Sequence, residues 1–200
     1  MSILQKIVEN TETNLVQKKG ELSLEQIKTA LDDLHLPRSR FKENISNKDE
    51  AIIAEIKKVI EYEAFGASAL SILTEEDFFM GSVSYLKDVK KITNLPILRK
   101  DFMIDEYQIY ESKLIGADCI LLIASILSDQ QIKDFINISQ QLELDYLIEV
   151  HDENELRRVE HFEDALIGVN NRNLKTFEVD LDNSVRLRNA FKQKNIFIAE

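Results

Sequence analysis

The chain of 200 residues is long enough for one domain with a sizeable core, and its 44% hydrophobic and 30% charged residues are typical of a globular protein. The formal net charge of −11 argues against a nucleic-acid partner, although helix N-termini and local lysines can still bind a small anion. No stretch is apolar and long enough to span a membrane, and the single cysteine excludes a disulfide within the chain. We therefore expect a cytoplasmic protein without a membrane partner, in which Cys119 is a small buried core residue.

The N-terminal segment, residues 1–50, predicts a helical extension of the main domain. Apolar residues recur on one face after Ser2, which indicates an amphipathic first helix rather than a signal peptide. Ser23 begins a capping-box pattern and with it a second helix, which Pro37 ends. The segment that follows, residues 38–50, is polar and is predicted to be irregular.

From residue 51 onward, strand-like and helix-like segments alternate. Strands are predicted over residues 52–57, 69–74, 97–101, 119–124, 146–150, 166–170 and 196–200. Helices are predicted over residues 81–92, 106–115, 129–142, 153–161 and 183–191, and around residues 62–65. Near-continuous apolar strands with helical crossovers are typical of a parallel sheet covered on both faces. Seven such strands favour an α/β barrel domain over residues 51–200, and the absence of a Gly-x-Gly-x-x-Gly or Walker-type loop weakens a nucleotide-binding alternative.

Three of these apolar strands carry charged residues near their C-terminal ends. Glu55 and Lys57 share the first strand, Lys100 ends the third, and Glu149 lies in the fifth. Charges inside apolar strands are costly to bury without partners, and the catalytic groups of α/β barrels lie at this end of the sheet. The pattern therefore predicts one shared polar site, with Lys100 as its most informative residue.

Each of these candidates also has an ordinary structural interpretation. Lys100 beside Asp101 is compatible with a simple ion pair at a strand end, because structural networks also place such residues. Glu149 alone is compatible with a hydrogen-bonded carboxylate at a strand end. The Asn-Asn-Arg sequence at residues 170–172 is compatible with a turn, which asparagine favours.

The remaining polar residues predict no further site. His35, His151 and His161 lack the spacing of metal ligands, so we expect them at the surface or behind the site, and we expect no bound metal. The acidic runs at residues 32–33 and 75–77 are predicted to be solvated.

Several of these segments together resemble the indole-3-glycerol phosphate synthase family. The resemblance is carried by Leu98-Arg99-Lys100-Asp101-Phe102, by Ile148-Glu149-Val150-His151, and by residues 52–58, 66–75, 107–111, 167–174 and 177–180. The segments follow the order of the family from residue 51 to the end, and the helical extension fits as well. The resemblance implies a (β/α)8 TIM-barrel type fold.

The resemblance also implies a reaction and the residues that perform it. The family converts 1-(2-carboxyphenylamino)-1-deoxyribulose 5-phosphate to indole-3-glycerol phosphate, with loss of CO2 and water, in tryptophan biosynthesis; no metal or cofactor takes part. By position, Lys100 resembles the general acid of ring closure and Glu149 the acid–base group of the dehydration. Lys57 resembles the catalytic lysine that binds the substrate carboxylate and can assist proton transfer. The substrate-binding positions that the resemblance implies are Glu55, Phe79, Phe102, Asn170, Arg172 and Glu200. The expected partner is a small phosphorylated substrate, and association with other enzymes of the pathway is not indicated by the sequence.

The chain departs from the family pattern at two places. The Ser-Pro-Ser-type loop that follows the first strand in the family is missing, because Lys58 continues directly into Val59. The chain also stops at Glu200, inside the predicted seventh strand, so we expect a barrel truncated to about seven strands. These departures leave two alternatives open: a non-catalytic remnant of the family, and another phosphate-binding barrel such as a phosphoribosylanthranilate isomerase-like enzyme.

Overall fold

The sheet that the sequence predicts is present, and it is parallel throughout. The computed structural model describes residues 2–48, 50–55, 66–172, 179–180, 182–191 and 193–199. The strands in these residues are β1 (Ile53–Glu55), β2 (Ala69–Leu73), β3 (Ile97–Lys100), β4 (Cys119–Ile123), β5 (Asp145–Val150), β6 (Leu166–Val169) and β7 (Phe197–Ala199). They form a seven-stranded sheet in chain order, with each strand pairing in parallel with the next.

The sheet curls, so that one of its faces encloses an interior. Ile53 of β1 and Ile198 of β7 pack against the same inner cluster as Leu98, Leu121 and Leu147 of the central strands. Because β1 and β7 are the two ends of the sheet order, the sheet must bend around this cluster to bring both ends to it. A curled parallel sheet with helices between its strands is the arrangement of the TIM-barrel type, which confirms the predicted fold class.

Most helices lie where the sequence predicts them. They are α1 (Ile3–Glu21), α2 (Leu24–Asp33), α3 (Phe41–Ser46), α4 (Val83–Lys90), α5 (Glu106–Leu114), α6 (Asp129–Gln141), α7 (Glu153–Val159) and α8 (Asp182–Ala190). The capping box predicted at Ser23 is confirmed, and Ser2 forms one as well, since the hydroxyls of Ser2 and Ser23 each accept the backbone N–H three residues later. The helix predicted around residues 62–65 lies outside the described residues. In the described part of the chain, no helix has the length and apolar character that crossing a bilayer requires.

The segment predicted to be irregular, residues 38–50, contains α3, and that prediction was wrong. Phe41 and Ile45 lie one turn apart on this short helix, are 0% and 5% exposed, and pack into the inner cluster. Asp145 at the start of β5 accepts the Ser39 hydroxyl at 2.6 Å and the backbone N–H of Lys42 at 2.9 Å. The helix therefore covers the interior at the N-terminal ends of the strands. Although the segment is mostly polar, its two apolar residues are enough to bury one face of the helix.

The N-terminal extension packs against the outside of the barrel. Leu15 of α1, Ile27 of α2 and Tyr107 of α5 form a small buried cluster. The ammonium of Lys19 lies 2.7 Å from the carboxylate of Asp105, which is the N-cap residue of α5. The extension thus rests on the helix that follows β3, the strand that carries Lys100.

Candidate active site

Three of the predicted charged residues lie on the inner face, near the C-terminal ends of their strands. Side chains along a strand alternate between its two faces, so Glu55 follows Ile53, Lys100 follows Leu98, and Glu149 shares the face of Leu147. These three apolar residues belong to the inner cluster. The ammonium of Lys100 lies 3.3 Å from the carboxylate of Glu55, with the two side chains 27% and 54% exposed. The structure therefore brings Lys100 and Glu55 together at the mouth of the barrel.

The carboxylate of Asp101 faces a different network. It accepts Arg99 Nη2 at 3.0 Å and the Thr74 hydroxyl at 2.6 Å, and Arg99 is 0% exposed. Burial disfavours the charged guanidinium, but the nearby carboxylates of Glu111 and Asp101 outweigh that effect, so the pKa of Arg99 lies above its ordinary value. Asp101 thus forms an ion pair with Arg99 on the outer side of β3, while Lys100 forms one with Glu55 on the inner side.

The carboxylate of Glu149 is almost fully buried, and its described neighbour is His151. One oxygen of Glu149, which is 4% exposed, lies 3.4 Å from Nε2 of the His151 ring. The other ring nitrogen, Nδ1, lies 3.1 Å from Glu155 Oε2. Burial lowers the pKa of His151. The hydrogen bond to Glu155 and the negative charges of Glu149 and Glu155 have a larger, opposite effect, so the pKa of His151 lies above its ordinary value. His151 therefore lies behind the carboxylate of Glu149. The sequence analysis expects the histidines either at the surface or behind the site, and His151 takes the second position.

A cavity of about 640 Å³ occupies the barrel interior below the mouth. Its lining includes Glu55, Lys100, Ser71 and Leu147. The Ser71 hydroxyl is buried and has no hydrogen-bond partner among the described residues, and Ser71 pairs in register with Glu55. Sequence reasoning did not single out Ser71, although a serine on the inner alternation of an otherwise apolar strand is the signal that marks it.

Two of the predicted substrate-binding residues are aromatic and lie on the loops that follow β2 and β3. The ring centroids of Phe79 and Phe102 are 5.8 Å apart, with Phe79 45% exposed. The prediction that the acidic run at residues 75–77 is solvated was wrong for Glu75, which is 6% exposed. Its carboxylate accepts the backbone N–H groups of Asp77, Phe78 and Phe79, and so fixes the turn that carries Phe79.

The N-terminal extension also reaches this aromatic loop. Asn10 and Asn14 of α1 donate to the Asp77 carboxylate at 2.6 and 2.8 Å. These two hydrogen bonds favour the ionised form and lower the pKa of Asp77. At Gly81 a Cβ atom would lie 2.5 Å from the backbone oxygen of Leu73, so the loop returns against β2 at a distance that only glycine allows.

The remaining predicted site residues are less closely connected. The side-chain oxygen of Asn170 accepts the backbone N–H of Arg172 at 2.9 Å, which is the turn that the sequence left open as an alternative. Arg172 is exposed and forms an isolated bridge with Val179. Lys57 and Glu200 lie outside the described residues, so their predicted roles stay predictions. Within the described ranges, no group of three or more His, Cys, Asp or Glu side chains is arranged to hold a metal ion.

A curled parallel sheet with ionisable side chains at the C-terminal ends of its strands defines an α/β protein of the TIM-barrel type. A family model described as indole-3-glycerol phosphate synthase matches residues 4–200. The protein of that name from Ruminiclostridium cellulolyticum is 43% identical over 216 aligned positions, covering 99% of this chain and 83% of the relative. The one from Lachnoclostridium phytofermentans is 40% identical and covers 99% of this chain and 84% of the relative. The chain therefore belongs to the indole-3-glycerol phosphate synthase family.

Solved structures add little to this assignment. Monomers of the dimeric phosphoribosylanthranilate isomerase from Thermotoga maritima align with a TM-score of 0.48 and 8% identity, covering 74% of this chain and 87% of that one. Likeness at that level carries no argument about function. The family model and the relatives support the synthase interpretation, and they favour neither the isomerase-like nor the non-catalytic alternative.

Proposed function

We propose that this chain forms indole-3-glycerol phosphate from 1-(2-carboxyphenylamino)-1-deoxyribulose 5-phosphate, with loss of CO2 and water. The observation that carries the proposal is the Lys100–Glu55 pair, which lies at the mouth of a barrel whose sequence belongs to the synthase family. Barrel enzymes carry their catalytic groups at this end of the strands. In the same proposal the chain acts in the cytoplasm on a small phosphorylated substrate, without a nucleic-acid or membrane partner.

In the first step, Lys100 acts as the general acid of ring closure. The aromatic carbon of the substrate attacks the ribulose carbonyl, and the carbonyl oxygen must take up a proton as it becomes a hydroxyl. The ammonium of Lys100 points into the cavity and supplies that proton, while Glu55 at 3.3 Å holds the side chain in place. The substrate carboxylate then leaves as CO2, and its bonding electrons return to the ring system.

In the second step, Glu149 acts as the acid–base group of the dehydration. The ring loses the new hydroxyl as water, which requires a proton donated to oxygen and another removed from the ring. A carboxylate that is 4% exposed is shielded from bulk water and is suited to exchanging a proton with a bound substrate. Lys57, by its position two residues after Glu55, is the proposed partner of the substrate carboxylate.

The rest of the site holds the two reacting ends of the substrate together. Ring closure within one molecule gains chiefly from orientation, so the walls of the pocket matter alongside the acid. Phe79 and Phe102 provide an aromatic surface of suitable size for the anthranilate ring. Asn170, Arg172 and Glu200 complete the proposed set of substrate-binding residues.

The proposed activity is tested by offering the purified chain its substrate and following indole fluorescence. Appearance of indole-3-glycerol phosphate, identified by mass, is the expected result. Phosphoribosylanthranilate serves as the second substrate, because the isomerase-like alternative requires it to be consumed. A folded chain that leaves the carboxyphenylamino compound unchanged contradicts the proposal, and consumption of phosphoribosylanthranilate instead supports the alternative.

A further inference from the structure

We propose that His151 is a positioning residue, which holds Glu149 in one orientation and in its ionised form for the dehydration. The inference rests on the proposed function, in which Glu149 exchanges protons with the substrate. His151 is not among the residues that line the inner cavity, and it acts through the carboxylate of Glu149.

The ring of His151 is fixed from the side away from Glu149. Both the backbone N–H and the Nδ1 atom of His151 lie within hydrogen-bond distance of Glu155 Oε2, at 2.8 and 3.1 Å. Glu155 is on the first turn of α7, where its own backbone N–H is held by the Asp152 cap. The side chain of His151 is only 14% exposed, so the ring has little room to turn. Helix α7 therefore aims Nε2 toward Glu149.

The geometry favours a proton on each ring nitrogen, because both nitrogens face carboxylate oxygens. Nδ1 lies 3.1 Å from Glu155 Oε2, and Nε2 is a buried atom that lies 3.4 Å from a carboxylate oxygen of Glu149 and has no hydrogen-bond partner among the described residues. A lone pair on Nε2 would repel that oxygen, whereas an N–H attracts it. With both nitrogens protonated the ring is an imidazolium placed between two carboxylates.

The surrounding charges favour the same state. Glu149 on β5 and Asp152 and Glu155 at the start of α7 are all acidic, and their field raises the pKa of His151 despite its burial. Helix α8 presents the neutral amide of Asn183, which donates to the backbone oxygen of His151 at 3.1 Å. A cation next to a carboxylate that is 4% exposed offsets the cost of burying that charge, and it fixes one of the carboxylate oxygens.

The test compares His151→Gln and His151→Leu with His161→Gln, which changes an exposed histidine beyond the end of α7. For His151→Leu we expect kcat to fall by about tenfold or more while KM stays within twofold, because general acid–base catalysis contributes factors of this order and binding is untouched. The acidic limb of the kcat profile should move to higher pH, since protonation of the carboxylate becomes easier without the cation. His151→Gln keeps an N–H donor and should retain part of kcat but show the same movement of the limb.

Two outcomes overturn the inference. One is a His151→Leu enzyme that is less stable but has an unchanged pH profile, which marks a purely structural role. The other comes from NMR titration of the ring in Glu149→Gln, where an unchanged His151 pKa means that the two groups are not coupled. The titration needs no turnover. If the wild-type chain makes no product, the proposed function fails while the coupling is still decided by the ring titration.

Discussion

The ammonium of Lys100 and the carboxylate of Glu55 lie 3.3 Å apart, although 45 positions separate them in the chain and β2 lies between their strands. The contact exists because the sheet curls and both side chains fall on its inner face. An ion pair in such a place orients a lysine toward the cavity, and this relationship supports the assignment of Lys100 as the acid.

Glu55→Gln should lower kcat by about tenfold with a smaller effect on KM. The change removes the charge that holds the Lys100 ammonium but keeps the shape of the side chain, and loss of orientation at an acid–base group costs rate more than binding. Steady-state kinetics measure both constants. Glu12→Gln, on the exposed face of α1, is the matched control and should leave them unchanged; an equal loss of activity in the two variants argues against a local role for Glu55.

Arg99→Leu should destabilise the fold by about 3–5 kcal/mol, because it leaves the buried carboxylate of Asp101 and the partly buried carboxylate of Glu111 without their cation. Urea denaturation measures the free energy of unfolding. Arg157→Leu breaks an exposed pair with Glu153 and should change stability by at most about 1 kcal/mol. Similar losses in both variants are incompatible with a network that depends on burial.

The stability contributed by His151 should depend on pH in a defined direction. Its pKa in the folded chain is raised, so the folded state binds the proton more tightly than the unfolded state. The stabilisation is fully present below the unfolded pKa of about 6.5 and is lost as pH rises through the raised folded value. The difference in unfolding free energy between wild type and His151→Gln should therefore shrink above neutral pH. A difference that grows with pH contradicts the charged state assigned to the ring.

Phe79→Ala should raise KM for the substrate by about tenfold while leaving stability nearly unchanged. The ring is 45% exposed, so its removal opens little of the core, but it takes away one wall of the proposed anthranilate pocket. Met80→Ala, at a side chain that is 84% exposed on the same loop, is the control. If both variants bind substrate as wild type does, the aromatic wall is not part of the site.

The strands and most helices of this fold are predictable from local sequence. The contacts within the candidate site are predictable only in part. Apolar runs predict all seven described strands, and Ser2 and Ser23 predict two helix starts, because these signals act over a few residues. The short helix at residues 41–46 was missed because it depends on two buried residues packing into the barrel. Glu75 appears solvated in the sequence, yet it caps three backbone groups of its own loop.

The candidate site shows the same limit. The positions of Glu55, Lys100 and Glu149 at strand ends indicate a common region, because parallel strands end at one edge. Ser71 faces the candidate site because of the register between β1 and β2. His151 faces it because of the placement of α7. Neither relationship can be read from a local sequence pattern. Two residues that the family resemblance assigns to the site, Lys57 and Glu200, remain predictions from sequence.

The most direct test of the central claim is product formation by Lys100→Ala beside wild type, followed by indole fluorescence with substrate in excess. We expect wild type to make indole-3-glycerol phosphate and Lys100→Ala to lose activity by at least about a hundredfold, while circular dichroism shows an intact fold. Lys91→Ala, which changes an exposed lysine directly after the end of α4, should match wild type. Turnover by Lys100→Ala at the wild-type rate would contradict the assignment of this lysine as the general acid.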